Sequence, residues 1–217
     1  MGTVPKTDSS FYDADYFLHG KESGKSLYED YHWLPDLTIP MAGTIANLLG
    51  IRKDQSILDF GCARGYVVKA FRLLGFEAYG VDASEWAIEN GDPEVRNCLQ
   101  VGTRPYGRYS WIIAKDVLEH VPAEELLNLV PRLLDSASLG IFVVVPLSPT
   151  IDQPYVVPEY ELDVTHVVRW DLPRWVALFQ AYNRGRFDIQ ADYLVPGIKD
   201  NYSQFPKGNG FIILRSR

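Results

Sequence analysis

Apolar and polar positions follow two rhythms along this chain, and their succession predicts the fold. Helical spacing of apolar residues predicts a helix over 37–49, stopped by Gly50, which tolerates the left-handed turn at a helix C-terminus. Beyond it, short apolar runs and amphipathic stretches take turns. Strands are predicted over 56–60, 77–81, 95–99 and 111–114, the third with the weakest pattern, and helices over 66–74 and 85–90. Leu126, Leu127, Val130, Leu133 and Leu134 mark one face of a helix over 123–134. The run over 139–145 is apolar almost throughout, as a strand buried on both faces requires. Strand–helix alternation of this kind builds a parallel sheet covered on both sides.

The two ends break the rhythm. Residues 1–35 are aromatic and polar, with Tyr12, Tyr16, Phe17, Tyr28, Tyr31 and Trp33, and read as an irregular or short-helical lid. Residues 147–170 carry prolines and tyrosines and are too long and irregular for an ordinary connection; such loops are usually functional, and this one is assigned to the acceptor side. Asp171 then caps a helix with Trp175, Leu178 and Phe179 on one face, and strands over 187–194 and 210–214 suggest a hairpin at the sheet edge. The expected architecture is a Rossmann-like, doubly wound, mostly parallel seven-stranded sheet with a C-terminal antiparallel hairpin and an N-terminal aromatic lid. It is expected to be one domain over 1–217, and Met1-Gly2 leaves room for excision from a longer polypeptide.

Composition narrows the partners. With 47% hydrophobic and 23% charged residues, the 217-residue chain can bury a full core. A net charge of -7 and the lack of any Lys/Arg run argue against a nucleic-acid partner. Cys62 and Cys98 are too few for a disulfide framework, which fits a reducing, cytoplasmic setting. No apolar stretch approaches the roughly 18 residues of a membrane span, and no signal-peptide pattern leads the chain, so no membrane insertion is expected.

The sharpest chemical signal is Asp59-Phe60-Gly61-Cys62-Ala63-Arg64-Gly65, at the first strand–helix junction, where open α/β sheets bind ligands. Gly61 and Gly65 permit tight backbone angles, Ala63 keeps the loop surface clear, and the following helix offers free N–H groups. Asp82 ends the second strand 23 residues after Asp59 and can accept hydrogen bonds from both ribose hydroxyls of an adenosine. Nicotinamide enzymes share that geometry but use GxGxxG beneath a pyrophosphate. Here Asp59 at the loop entrance would repel a pyrophosphate and suits a ligand bearing an ammonium group.

These residues resemble the first motif of class I S-adenosylmethionine-dependent methyltransferases. Tyr79-Gly80-Val81-Asp82-Ala83-Ser84 resembles the second motif, and Asp116-Val117-Leu118-Glu119-His120 the "D-V-L-E-H" segment of that superfamily. The resemblance covers roughly 37–146 and implies S-adenosylmethionine as cofactor, with Asp59, Gly61, Cys62, Ala63, Gly65, Asp82, Ala83, Ser84, Leu99 and Lys115 around it. The Asp that many relatives carry after the third strand is absent; backbone groups near Cys98 and Leu99 are expected to read the adenine instead. Tyr16 and Tyr28 are assigned to the methionine end, with ring faces available to the sulfonium.

A methyl acceptor that is a hydroxyl must shed a proton, and His120 and His166 stand in the right segments to take it, with Asp116 as the next choice and Asp163 placed to orient His166. Either histidine can equally be a structural hydrogen-bonder. Asp116, Glu119 and Asp163 are oxygen ligands of the right type for a metal, but no spacing specifies a site and none is expected. The lead-in Tyr12-Asp13-x-x-Tyr16-Phe17-x-x-Gly20…Tyr28-x-x-Tyr31, and Asp163-x-Thr165-His166…Trp170, resemble segments of bacterial and viral methyltransferases found near glycan-assembly enzymes. That implies a small-molecule or glycan acceptor, a sugar hydroxyl above all, with Tyr155, Tyr160 and Trp170 available to stack on sugar rings. N-methylation of an amino sugar or another metabolite, and a SAM-binding module without turnover, are the alternatives.

Overall fold

The computed structural model describes residues 8–199 and 201–217. Its sheet is assembled from β1 (Ser56–Phe60), β2 (Glu77–Asp82), β3 (Leu99–Val101), β4 (Tyr109–Lys115), β5 (Ala137–Pro146), β6 (Phe187–Asp192) and β7 (Asn209–Ser216). The order across the sheet is β3-β2-β1-β4-β5-β7-β6. The pairings among β1 to β5 are parallel, whereas β7 runs antiparallel to both β5 and β6. The hairpin expected at the edge is therefore present, with its later strand on the inside. The chain reverses direction across the sheet between β1 and β4, the switch point at which ligands bind beyond the strand ends.

Period-two alternation sorts side chains to two cores. Leu58 and Ile112 face α6 (Ala123–Ser136) and α7 (Leu172–Asn183), packing with Leu126, Leu133, Trp175 and Phe179. Ile57 and Ile113 face α3 (Pro35–Leu49) and α4 (Tyr66–Leu73), packing with Ile45, Leu49 and Phe71. Asp171 caps α7 as expected, accepting from Arg174 N–H.

One element is displaced. Residues Arg96–Cys98 form a 3-10 turn, and the strand expected over 95–99 begins only at Leu99. The apolar side chains of Val95 and Cys98 are buried, but in a turn that seals the underside of the glycine loop, so their burial follows no strand rhythm.

The N-terminal segment is short-helical, with α1 (Ala14–Leu18) and α2 (Gly20–Ser23). Residues 1–7 of the expected lid lie outside the described residues. Phe17 stacks on Trp86 of α5 (Glu85–Glu89) with ring centroids 5.5 Å apart, and Tyr31 packs on Tyr66. Phe17, Tyr31 and Trp86, together with Tyr12, Tyr16 and Tyr28, form a third apolar cluster above the sheet's switch point. No helix among the described residues is long and apolar enough to cross a membrane.

Candidate functional site

The turn after β1 is built by two glycines and one alanine in left-handed conformations, with φ of 79° at Gly61, 48° at Ala63 and 81° at Gly65. Gly61 N–H and Cys62 N–H both donate to the Val81 carbonyl, tying the loop to the end of β2. A side chain at Gly61 would put its Cβ 2.4 Å from Val117 Cγ2, so only glycine lets the loop pass under the turn after β4. At Gly65, the cap of α4, the nearest atom would be Leu99 Cδ1 at 2.7 Å.

Asp82 closes the other side. Its Oδ2 accepts from Ala63 N–H at 2.7 Å and its Oδ1 from Ser84 N–H at 2.8 Å. Each oxygen keeps a further lone pair, and the residue lines the cavity, which is the arrangement a pair of ribose hydroxyls needs. Burial raises the Asp82 carboxyl, while the two backbone donors pull against that rise. Asp59 lies one layer back: burial pushes it up to about 7 against the pull of Lys115, with Asp82 adding to the rise.

The cavity measures about 480 Å³, within the roughly 300–1,000 Å³ common for small-molecule sites. Its walls are the ends of β1, β2 and β4, the loop after β3, α6 and the aromatic lid. Of the residues assigned from sequence, Tyr16, Tyr28, Gly61, Ala63, Asp82, Ala83, Asp116 and His120 line it. Cys62 is buried against Gly80, Ser84 is buried as the cap of α5 with its hydroxyl on the Tyr12 carbonyl, and Lys115 is paired with Asp116. Leu99 packs beneath Gly65 and Gly91, and the lining beyond β3 comes instead from Gly102, Thr103 and Arg104.

At the end of β4, Asp116 adopts a left-handed φ of 53°. Its Oδ2 accepts from Lys115 and, at 2.8 Å, from Lys199. Burial works to raise this carboxyl, but the two ammonium groups hold it well below the usual carboxylate range. Lys199 is raised in turn, the Asp116 charge outweighing burial. Nothing in the sequence marks Lys199, which lies 83 residues from its partner.

His120 and His166 meet, with ring centroids 4.6 Å apart. His166 does not line the cavity; its Nδ1 donates to the Tyr160 carbonyl at 2.8 Å. Asp163 does not orient it. The Asp163 carboxylate instead accepts from Thr165 Oγ1 at 2.6 Å and from the Tyr16 hydroxyl at 2.8 Å. Because the Thr165 proton goes to a carboxylate, the 2.7 Å contact between Thr165 Oγ1 and His120 Nδ1 makes the histidine the donor. The relay Asp163–Thr165–His120 thus leaves Nε2 of His120 as a lone pair. Burial and the neighbouring His166 lower the His120 ring to about 4, and burial lowers His166 as well, so both are neutral at physiological pH.

Tyr16 spends its hydroxyl on Asp163 and offers the cavity its ring. Tyr155 and Trp170 are buried in the packing, and Tyr160 donates to Asn209; none of the three lines the cavity, so the expected stacking platform for a sugar is absent among the described residues.

Sheet order, glycine turn and acidic residue at the end of β2 define a class I S-adenosylmethionine-dependent methyltransferase. The chain belongs to the methyltransferase-domain family, whose model matches residues 37–182, and S-adenosylmethionine is its cofactor. No curated protein sequence matches it significantly. Among solved structures, the chain resembles a putative methyltransferase from Haloferax volcanii solved with the Trm112 activator, at 13% identity and a TM-score of 0.63 over 83% of this chain and 91% of that one. It also resembles a SAM-dependent methyltransferase from Archaeoglobus fulgidus, at 16% identity and a TM-score of 0.59 over 84% and 95%. A plantazolicin methyltransferase solved with SAH matches at 17% identity and a TM-score of 0.57 over 84% and 85%. At these identities the likeness is one of fold.

Proposed function

We propose that this protein transfers a methyl group from S-adenosylmethionine to a hydroxyl of a small polar acceptor, a sugar hydroxyl being the leading class. Bound S-adenosylmethionine supplies an activated methyl on a sulfonium; what remains for the protein is to exclude water, align the acceptor and remove its proton. The observation that carries the reading is the neutral imidazole of His120 at the cavity wall, held by Thr165 and Asp163 in the tautomer whose Nε2 is a lone pair. An amine acceptor needs no such device, whereas a neutral hydroxyl gains about 10²–10⁴-fold from one. In its simplest form Nε2 of His120 takes the hydroxyl proton, and the bound cofactor would supply the methyl group to the oxygen so freed. His166 backs the ring from behind, and Asp116, neutralised by its lysines, shapes the wall.

The test is a screen of free and lipid- or nucleotide-linked sugars, other alcohols and amines with methyl-labelled cofactor. Label is expected on a hydroxyl, and His120→Ala should lose about two orders of turnover while cofactor affinity stays near that of the parent. Turnover of amines alone, or an unimpaired His120→Ala, overturns the reading.

A further inference from the structure

We infer that Glu119, His120 and His166 form a binding site for one divalent first-row metal ion at the acceptor end of the cavity. The inference rests on the hydroxyl acceptor proposed above and gives the removal of its proton a different agent. The three ligand atoms all lie within 4.8 Å of one another. Atoms so spaced fit within a circle of radius about 2.8 Å, and metal–nitrogen and metal–oxygen bonds of about 2.0–2.2 Å are reached by sub-ångström shifts of the side chains. Two imidazoles and one carboxylate on one face, with the remaining positions open, is a donor set that suits ions such as Mn²⁺, Fe²⁺, Co²⁺ or Zn²⁺.

Three further observations point to a cation. First, one ring nitrogen of each histidine is already committed. His166 Nδ1 donates to the Tyr160 carbonyl and His120 Nδ1 to Thr165, itself held by Asp163. Each ring is thereby fixed with Nε2 as a lone pair, which is how outer partners prepare histidine ligands. Second, Glu119 is only 1% exposed, and among the described residues its Oε2 has no hydrogen-bond partner. The nearest basic atom is His166 Nε2, 4.0 Å from Oε1, and in the tautomer just derived that atom has no proton to give. A buried carboxyl oxygen with no partner, beside an imidazole lone pair, is a costly arrangement that a cation bound between them relieves. Third, the neighbouring carboxylates are already used. Asp116 is spent on Lys115 and Lys199, and Asp163 on Thr165 and Tyr16, so Glu119 alone of the three is left to serve as ligand.

His120 lines the cavity and the other two ligands lie behind it, so the open coordination positions face the acceptor. An acceptor oxygen bound there loses its O–H proton to solvent, because the cation stabilises the alkoxide. The alkoxide oxygen then forms its bond to the methyl carbon, and the S–C pair leaves with sulfur as a neutral thioether. In this form His120 acts as ligand in place of proton acceptor.

The chain, stripped with EDTA and dialysed, is titrated with Mn²⁺ while the signal of the free aquo ion is followed by electron paramagnetic resonance. About one ion per chain is expected to bind, and Glu119→Gln, near-isosteric and checked for folding by its melting curve and its retained cofactor binding, should abolish that stoichiometric binding. Hydroxyl-directed turnover of the stripped protein should fall at least tenfold and return on adding Mn²⁺. Absence of stoichiometric binding to folded parent protein, or undiminished binding by Glu119→Gln, overturns the site. Full hydroxyl methylation by ion-free protein also overturns it while leaving the His120 base intact. Stoichiometric binding combined with turnover of amines only would uphold the metal site and defeat the hydroxyl reading.

Discussion

Gly61 is the position at which the fold of the cofactor loop is most tightly constrained, and its replacement by alanine separates two effects. The residue has φ of 79°, where an L-residue costs about 1–2 kcal/mol. The new Cβ would also meet Val117 Cγ2 at 2.4 Å and Val117 Cβ at 2.7 Å. Because one of these atoms is the β-carbon itself, no rotamer of Val117 relieves the contact, and overpacking of this kind costs about 1–3 kcal/mol. The sum is about 2–5 kcal/mol, and a central value near 3 lowers the melting temperature by roughly 6–12 °C for a chain of this size. Gly65→Ala makes the contrast. Its φ of 81° carries the same backbone cost, but the obstructing atoms are terminal methyls, two of Leu99 and Val95 Cγ2 at 3.2 Å, which can shift aside, so about 1–2 kcal/mol is expected. Ala63, at φ 48° in the same loop, demonstrates that the backbone strain alone is tolerated. The assay is thermal or urea unfolding of the cofactor-free protein, with Val117→Gly completing a double-mutant cycle. A coupling of about 1–3 kcal/mol in favour of the double variant is expected. Equal costs at Gly61 and Gly65, or strict additivity with Val117→Gly, would refute the steric argument.

Two further outcomes follow from the acidic residues. Asp82→Ala should weaken cofactor binding at least tenfold by calorimetry, since each hydrogen bond to a charged acceptor is worth roughly 1.5–3 kcal/mol; an unchanged affinity removes the ribose assignment. For Asp59 the sign is set by its raised carboxyl: the folded group titrates at about 7 and the free side chain near 3.8, so the folded state holds the proton more tightly. Its contribution to stability is complete below about pH 4, declines as pH rises to about 7 and is lost above that. Asp59→Asn should therefore stabilise the cofactor-free protein by about 2–3 kcal/mol more at pH 8 than at pH 5, as measured by urea unfolding. The same difference at both pH values contradicts the burial of a costly charge.

What was legible in the sequence was local. The apolar run over 139–145 could only be a doubly covered strand, and the spacing of Asp59, Gly61 and Gly65 described a turn whose backbone angles are present. The third strand slipped because burial of Val95 and Cys98 serves a turn and carries no alternation. The acceptor end was legible only as a set of parts. Asp163 and His166 are neighbours in sequence, which suggested that one orients the other. In space Asp163 reaches Tyr16 across 147 residues and His120 through Thr165. Glu119 and His120 looked like one short motif, and nothing local announced that His166, from beyond β5, would complete a three-ligand cluster with them. Pairings such as Lys199 with Asp116 depend on where loops return, and loop return is written in the whole topology rather than in any window of residues.

The inside position of β7 has a consequence for how the polypeptide acquires its shape during synthesis. Translation delivers β6 before β7, yet among the described residues β6 pairs with β7 alone. Until residues Asn209–Ser216 have emerged, β6 has no edge on which to dock, and β5 presents one unpaired, strongly apolar flank, Ile141 to Val145, to the surroundings. The nascent chain is in that interval an open-edged sheet, the form most prone to pair with a second molecule. Insertion of β7 closes both vacancies at once, so β6 and β7 join the sheet together and last.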